Sequence, residues 1–147
     1  MKFKVVLIVL LIILSCTTVT FAKNIGFDKE QGMRSYCDSI MEYLAKDEVQ
    51  KAFDLLEGQW IFSATEIQNV ELQTIKQLDL VKGRFGDVLG YKFIEKEIVA
   101  EILCKYTYVV KYENHIIRWI FIFYKAEDKW LLNSFKFDDS IEKLFNN

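Results

Sequence analysis

The sequence predicts an α+β fold in which N-terminal helices pack on a curved, four-stranded, mainly antiparallel sheet. Three observations predict it. The last third, Leu89 to Asp138, reads as four consecutive strands rich in aromatic and branched residues. Upstream, apolar residues recur at spacings of three and four, the pattern of amphipathic helices. The 147 residues include no proline, which suits a sheet without interruptions. Helices first and a strand meander afterwards is an α+β plan, with the concave face of the sheet buried against the helices.

The first helix is expected from about Asp28, with Met33, Cys37, Ile40, Met41 and Leu44 as its apolar stripe. Lys46-Asp47 breaks the pattern, and Asp47 is the expected N-cap of a second helix with Val49, Ala52, Phe53 and Leu56 inward. Gly58 suits its C-terminus. After an extended link, Gln59 to Phe62, Ser63-Ala64-Thr65-Glu66 matches a capping box, in which serine and glutamate each satisfy a free backbone donor. The third helix then buries Ile67, Val70, Thr74, Ile75, Leu78 and Val81, and Gly83 is expected to end it.

The first strand is expected over Tyr91 to Ile98. In the second, Ile102, Cys104, Tyr106, Tyr108, Val110 and Tyr112 alternate with polar residues at period two. Glu113-Asn114 forms the next turn, since asparagine tolerates the left-handed region. A third strand runs to Lys125, and a fourth spans Trp130 to Phe137. Asp138 or Asp139 then caps a short final helix carrying Ile141, Leu144 and Phe145.

Residues 1–22 read as an export segment. Lys2 and Lys4 precede an apolar run, Val5 to Leu14, too short for a span of about 20 residues. Thr20-Phe21-Ala22 offers small residues for cleavage before Lys23. Ile13-Leu14-Ser15-Cys16 resembles a lipobox, which makes lipidation of Cys16 and an anchor in the cell envelope the alternative to a periplasmic or secreted chain. Membrane contact is expected only in that case.

Cleavage after Ala22 removes 22 of 147 residues and leaves 125, enough for one domain, residues 23–147, with a real core. It removes two lysines and no acid, so 17 basic residues face 21 acidic ones, net −4. That balance excludes general nucleic-acid binding, which needs a basic face. Either processing route leaves two thiols, Cys37 and Cys104. They pair as a disulfide in an oxidising compartment, or serve as small buried hydrophobes.

The residues Ala52-Phe53-Asp54-Leu55-Leu56, the Gly83 to Tyr91 loop, Tyr106 to Tyr112, Arg118-Trp119-Ile120-Phe121 and Trp130 to Phe135 together carry a resemblance. The chain resembles the nuclear transport factor 2-like superfamily, the cone-shaped cystatin-like α+β roll, and within it small secreted bacterial members of unknown function. The resemblance implies a fold and not an activity. Enzymes of that superfamily place an aspartate–histidine or aspartate–tyrosine set in the cone, and no such set is matched here residue by residue. Gln68-Asn69-Val70-Glu71 lacks the final glycine of the cystatin inhibitory loop and falls within the third helix.

Candidate site residues are few. His115, the only histidine, flanks a turn where water replaces the orienting partner that a general base needs. One histidine and two distant cysteines make no metal set, and no cofactor is implied. Gly83-Arg84-Phe85-Gly86 has the wrong spacing for a phosphate loop. Arg118 is the one charge between Ile116 and Tyr124; it either holds a ligand carboxylate in a cavity or lies on the outer face with its stem on apolar neighbours. Trp60, Tyr106, Tyr108 and Trp119 either line a pocket with it or form plain core.

On the third strand, Ile117, Trp119, Phe121 and Phe123 form one apolar face, and Ile116, Ile120, Ile122 and Tyr124 form the other. Helices cover only one face, so the second is expected to be covered by another copy in a homodimer, the alternative being strong curling by which the sheet covers itself. The function expected from all this is an exported small-molecule-binding or accessory domain without catalysis, taking a small apolar or carboxylate ligand. The alternatives are an isomerase-, dehydratase- or hydrolase-type enzyme using the cone, and an inhibitor or immunity-type protein acting through the sheet.

Overall fold

The computed structural model describes residues 24–145. The expected export segment, residues 1–22, and Cys16 lie outside the described residues. Three helices precede a four-strand antiparallel sheet. Helix α1 (Glu30–Ala45) buries Met33, Cys37, Ile40, Met41 and Leu44, the stripe that the spacing predicts. Helix α2 (Val49–Gln59) buries Ala52, Phe53 and Leu56. Helix α3 (Ala64–Phe85) opens with the Ser63–Glu66 capping box.

Three helix boundaries differ from expectation. Asp47 is not an N-cap: its φ is 62°, and its carboxylate accepts from Lys82 Nζ at 2.6 Å. Glu48 takes the N-cap position without a side-chain bond. Gly58 stays inside the last turn of α2, and Trp60 follows in extended conformation. Helix α3 passes through Gly83 and stops at Gly86, whose φ of 87° suits glycine. A Cβ at Gly86 would also collide with the Glu113 carboxylate.

Strands β1 (Val88–Val99), β2 (Leu103–Tyr112), β3 (Ile116–Ala126) and β4 (Lys129–Asp138) form a simple meander in chain order. Ile102 sits in the first hairpin turn rather than in β2, and its N–H donates to Val99 O at 3.1 Å. Ala100 and Glu101 complete that turn with φ of 49° and 58°. At the next hairpin Tyr112 N–H donates to His115 O, and Asn114 N–H ties the turn to Phe85 O at the end of α3. The final segment is a single 3-10 turn, Ile141–Leu144, and Asp138 caps the chain just before it by accepting from Ser140 N–H at 3.0 Å.

The register places Cys104, Tyr106, Tyr108 and Val110 beside Phe123, Phe121, Trp119 and Ile117, all facing the helices. Phe135 and Phe137 continue this layer on β4. A bulge between Phe93 and Glu95 shifts β1 by one residue. Tyr91 and Phe93 face inward before it, and Lys96 shares their face after it. Lys96 there meets Glu30 of α1 at 2.6 Å. The free edge of β4 is partly occupied by isolated bridges from Phe27 and Trp60 to Trp130 and Leu132. The other edge, β1, carries Lys92, Glu95 and Glu97, charges that discourage edge pairing.

The outer face differs from the bare apolar surface expected. Thr107, Val109, Arg118 and Ile120 are all buried. In register Ile120 lies between Thr107 and Lys136, and Val109 between Lys92 and Arg118. Long lysine stems cover apolar surface well. Ile116 and Ile122 are half-buried, and of the four expected dimer-face residues only Tyr124 is exposed.

Gly86→Ala should destabilise the fold by about 1–2 kcal/mol, because it combines left-handed backbone with a steric clash. Gly83→Ala, in open space within the helix, should be neutral or stabilising. Urea denaturation of both variants checks the contrast.

Candidate functional site

The inner layer is closed at its centre. Tyr106, Tyr108, Trp119, Phe121 and Phe123 are almost fully buried, and α1 lies over them. Two tyrosine hydroxyls fix that helix. Tyr106 donates to Glu30 O at 3.2 Å, and Tyr108 donates to Asp38 Oδ1 at 2.8 Å. Burial pushes both hydroxyl pKa values far above the ordinary tyrosine range, so both remain donors. Asp38 also accepts from Arg34 Nε at 3.0 Å, and the Arg34 guanidinium lies 3.5 Å from the centre of the Phe93 ring.

The arrangement is different between α3 and β4. Helix α3 packs on α2 but makes few close backbone contacts with the sheet. Phe135 and Phe137 fill part of the space. Two hollows, about 260 and 220 Å³, remain and share Gln77 and Phe137. The larger lies between Leu80, Val81, Arg84 and Phe85 of α3 and Ile117, Phe137, Asp138 and Asp139 of the sheet. The smaller adds Val70, Gln73, Thr74, Phe135 and Lys136. Together they make a groove with aromatic and aliphatic walls, glutamines on the helix and charges at its margins.

Trp119 packs against two of the rings that line this groove. Its ring stacks on Phe137 at 4.6 Å and on Phe135 at 6.0 Å. Among the described residues, Trp119 Nε1 is the one buried side-chain nitrogen or oxygen without a hydrogen-bond partner. An unmet buried donor is unfavourable by about 1–3 kcal/mol.

The structure scatters the residues expected to line a pocket. Trp60 is core, with its Nε1 donating to Asn133 O at 3.3 Å. Tyr106 borders a separate hollow of about 370 Å³ with Glu30, Gln31, Arg34, Phe93 and Lys96. Tyr108 is core, and only Trp119 packs against rings that line the groove. Arg118 is on the outer face, buried, and held by Asp138 through bonds of 3.1 and 2.8 Å. Those bonds hold the Asp138 carboxyl below its ordinary pKa. Arg118 therefore serves its neighbouring strand and not a cavity. The groove residues that sequence reasoning missed are Gln77, Val81, Phe85, Phe135 and Phe137. Their signal was the apolar period of α3 extended past Gly83 toward a strand with more rings than one face needs.

Cys37 and Cys104 are both buried free thiols, with pKa values raised by burial. His115 is half-buried with its ring 4.5 Å from Phe85, and no metal-like cluster of ligands occurs among the described residues. No protein-family model, curated protein or solved structure matches this chain.

Asp138→Ala should cost about 1–3 kcal/mol, less than a fully buried pair because Asp138 is partly exposed. The pH dependence follows from the depressed folded pKa. The stabilisation is complete above the unfolded value of about 3.9 and is lost as pH falls through the folded value. Denaturation of wild type and Asp138→Asn across acidic pH should show the wild-type advantage shrinking at the acid end. Thiol reagents should modify Cys37 and Cys104 only as fast as the protein unfolds, as peptide mass mapping can measure.

Proposed function

We propose that this chain is an exported binding domain of the nuclear transport factor 2-like kind, holding a small, mainly apolar ligand between α3 and β4. The observation that carries the reading is the stand-off of α3 over the Phe135–Phe137 pair, on which the Trp119 ring, its donor unpartnered, is stacked. Ligand sites combine apolar walls with a few placed polar groups. Here the walls come from Val81, Phe85, Ile117 and Phe137, and the polar groups from Gln73, Gln77 and Arg84. Arg84 gives the groove a partner for a ligand carboxylate. Each hollow, about 260 and 220 Å³, is smaller than an ordinary site of about 300 Å³ or more, so the ligand is small or spreads the groove on entry.

The reading assigns the groove no chemistry of its own. Its acid nearest a polar partner, Asp138, is already committed to Arg118. An enzyme is the second reading, and one observation favours it: Asp38 and Tyr108 form an aspartate–tyrosine pair. Arg34 neutralises that aspartate, which fits a role in fixing α1 better than proton transfer. A homodimer through the outer sheet face is not needed by this proposal, since the centre of that face is already covered.

Native mass spectrometry of the full chain, purified without denaturation, tests the binding reading. The protein should carry an extra mass of a few hundred daltons that denaturation releases. Gln77→Trp, placed where the two hollows meet, should abolish that mass while leaving the circular dichroism spectrum unchanged. A bare wild-type protein, or an extra mass indifferent to the substitution, would contradict it.

A further inference from the structure

The groove occupies the β4 side of the sheet's inner face. The β1 side holds a separate hollow of about 370 Å³, between the start of α1 and the edge strand. That volume falls within the ordinary range for small-ligand sites, about 300–1,000 Å³. Its lining is more polar than the groove's. Glu30, Gln31 and Arg34 come from α1, Phe93 and Lys96 from β1, and Tyr106 from β2.

Arg34 is set in place on two sides. Its Nε donates to both carboxylate oxygens of Asp38 at 3.0 Å, and Asp38 is itself fixed by the Tyr108 hydroxyl at 2.8 Å. The guanidinium carbon lies 3.5 Å from the centre of the Phe93 ring. These contacts use Nε and one face of the guanidinium. Among the described residues Nη1 and Nη2 make no hydrogen bond, and the side chain keeps 37 % of its surface exposed. The unused end is a pair of parallel N–H donors, the fork that matches the two oxygens of a carboxylate.

Lys96 reaches the same hollow through a backbone irregularity. Under strict alternation from Lys92 it would face outward. Ile94 is the extra residue of the bulge between Phe93 and Glu95, and it turns Lys96 inward. Bulges recur beside binding sites, where they re-aim a side chain in this way. Lys96 Nζ meets Glu30 Oε2 at 2.6 Å, a bond that occupies only one of the ammonium's donors. The acids then decide the ligand class. Glu30 and Asp38 stand one beside each cation, so these four side chains carry no net charge. A phosphate dianion would be repelled by both carboxylates. A single, flat, two-pronged negative charge fits the Arg34 fork with the least repulsion. The Tyr106 hydroxyl already donates to Glu30 O, so that residue offers its ring as apolar surface for the rest of the molecule.

We infer that this hollow is a second binding site, for a small organic carboxylate that Arg34 holds through both Nη groups and Lys96 supports. The inference does not depend on the groove holding a ligand.

The test titrates hydrocinnamate into the full chain and follows the arginine Nε–H and backbone amide signals by NMR. The signals of Arg34 and Phe93 should move together to saturation. Hydrocinnamyl alcohol, the same body without the charge, should leave them in place. Arg34→Lys keeps the charge but loses the fork, and should weaken binding about tenfold. Lys96→Gln should weaken it several-fold. The inference fails if the Arg34 signals do not saturate, which would leave both ion pairs as struts between α1 and its neighbours. It fails if the alcohol binds as well as the acid, or if inorganic phosphate binds as tightly; both comparisons use the wild-type protein alone. It also fails if Arg34→Lys, with an unchanged circular dichroism spectrum, binds like wild type.

Discussion

The fold depends on burying one aromatic layer while satisfying its polar tips. Tyr106, Tyr108, Trp119, Phe121 and Phe123 lie side by side on the inner face of β2 and β3. Each such side chain stabilises the fold by about 2–3 kcal/mol when fully buried. Tyrosine hydroxyls cannot be buried unpaired without losing much of that. The two tyrosines meet this condition with Glu30 O and Asp38, both on α1. One constraint thus chooses which helix covers the centre of the sheet and in which rotational setting.

The remaining geometry follows from that choice. With α1 over β1 and β2, and α2 beside α1, α3 is left above β4. There Phe135 and Phe137 rise from the strand and stack on Trp119, so the helix cannot close fully. The rings at this side have no hydroxyls to tie them to a helix, and the indole donor stays unpartnered. The groove is what remains when an aromatic sheet receives one tightly docked helix and one loosely docked one. On the outer face, the Arg118–Asp138 pair joins β3 to β4.

Much of the fold was legible because its signals are local. The period of two in Tyr106 to Tyr112, the stripe of Met33 to Leu44 and the Ser63–Glu66 box each state their own structure within a few residues. The errors occurred where neighbours decide. Asp47 looked like a cap, but it ends α1 in a left-handed turn that the Glu48 N–H closes by bonding back to Tyr43 O. Gly83 looked like a helix end, but the close approach of Glu113 makes Gly86 the necessary one. The β1 bulge, which brings Lys96 to the helix side, leaves no mark in the alternation around Ile94. The groove was least legible. Phe135 and Phe137 read as ordinary strand core, and only the distance of α3 from β4 turns them into a floor. Arg118 was ambiguous for the same reason, since its partner lies twenty residues away on the next strand.

The central claim is that the α3–β4 groove, lined by the rings that stack on Trp119, is a ligand site of this protein. The most direct measurement is an NMR titration that follows the three tryptophan indole N–H signals as ligand recovered from the protein is returned to the stripped chain. The account predicts that the Trp119 indole signal moves with saturation while that of Trp60, bonded to Asn133, stays in place. A ligand that saturates the protein without disturbing Trp119 would contradict it.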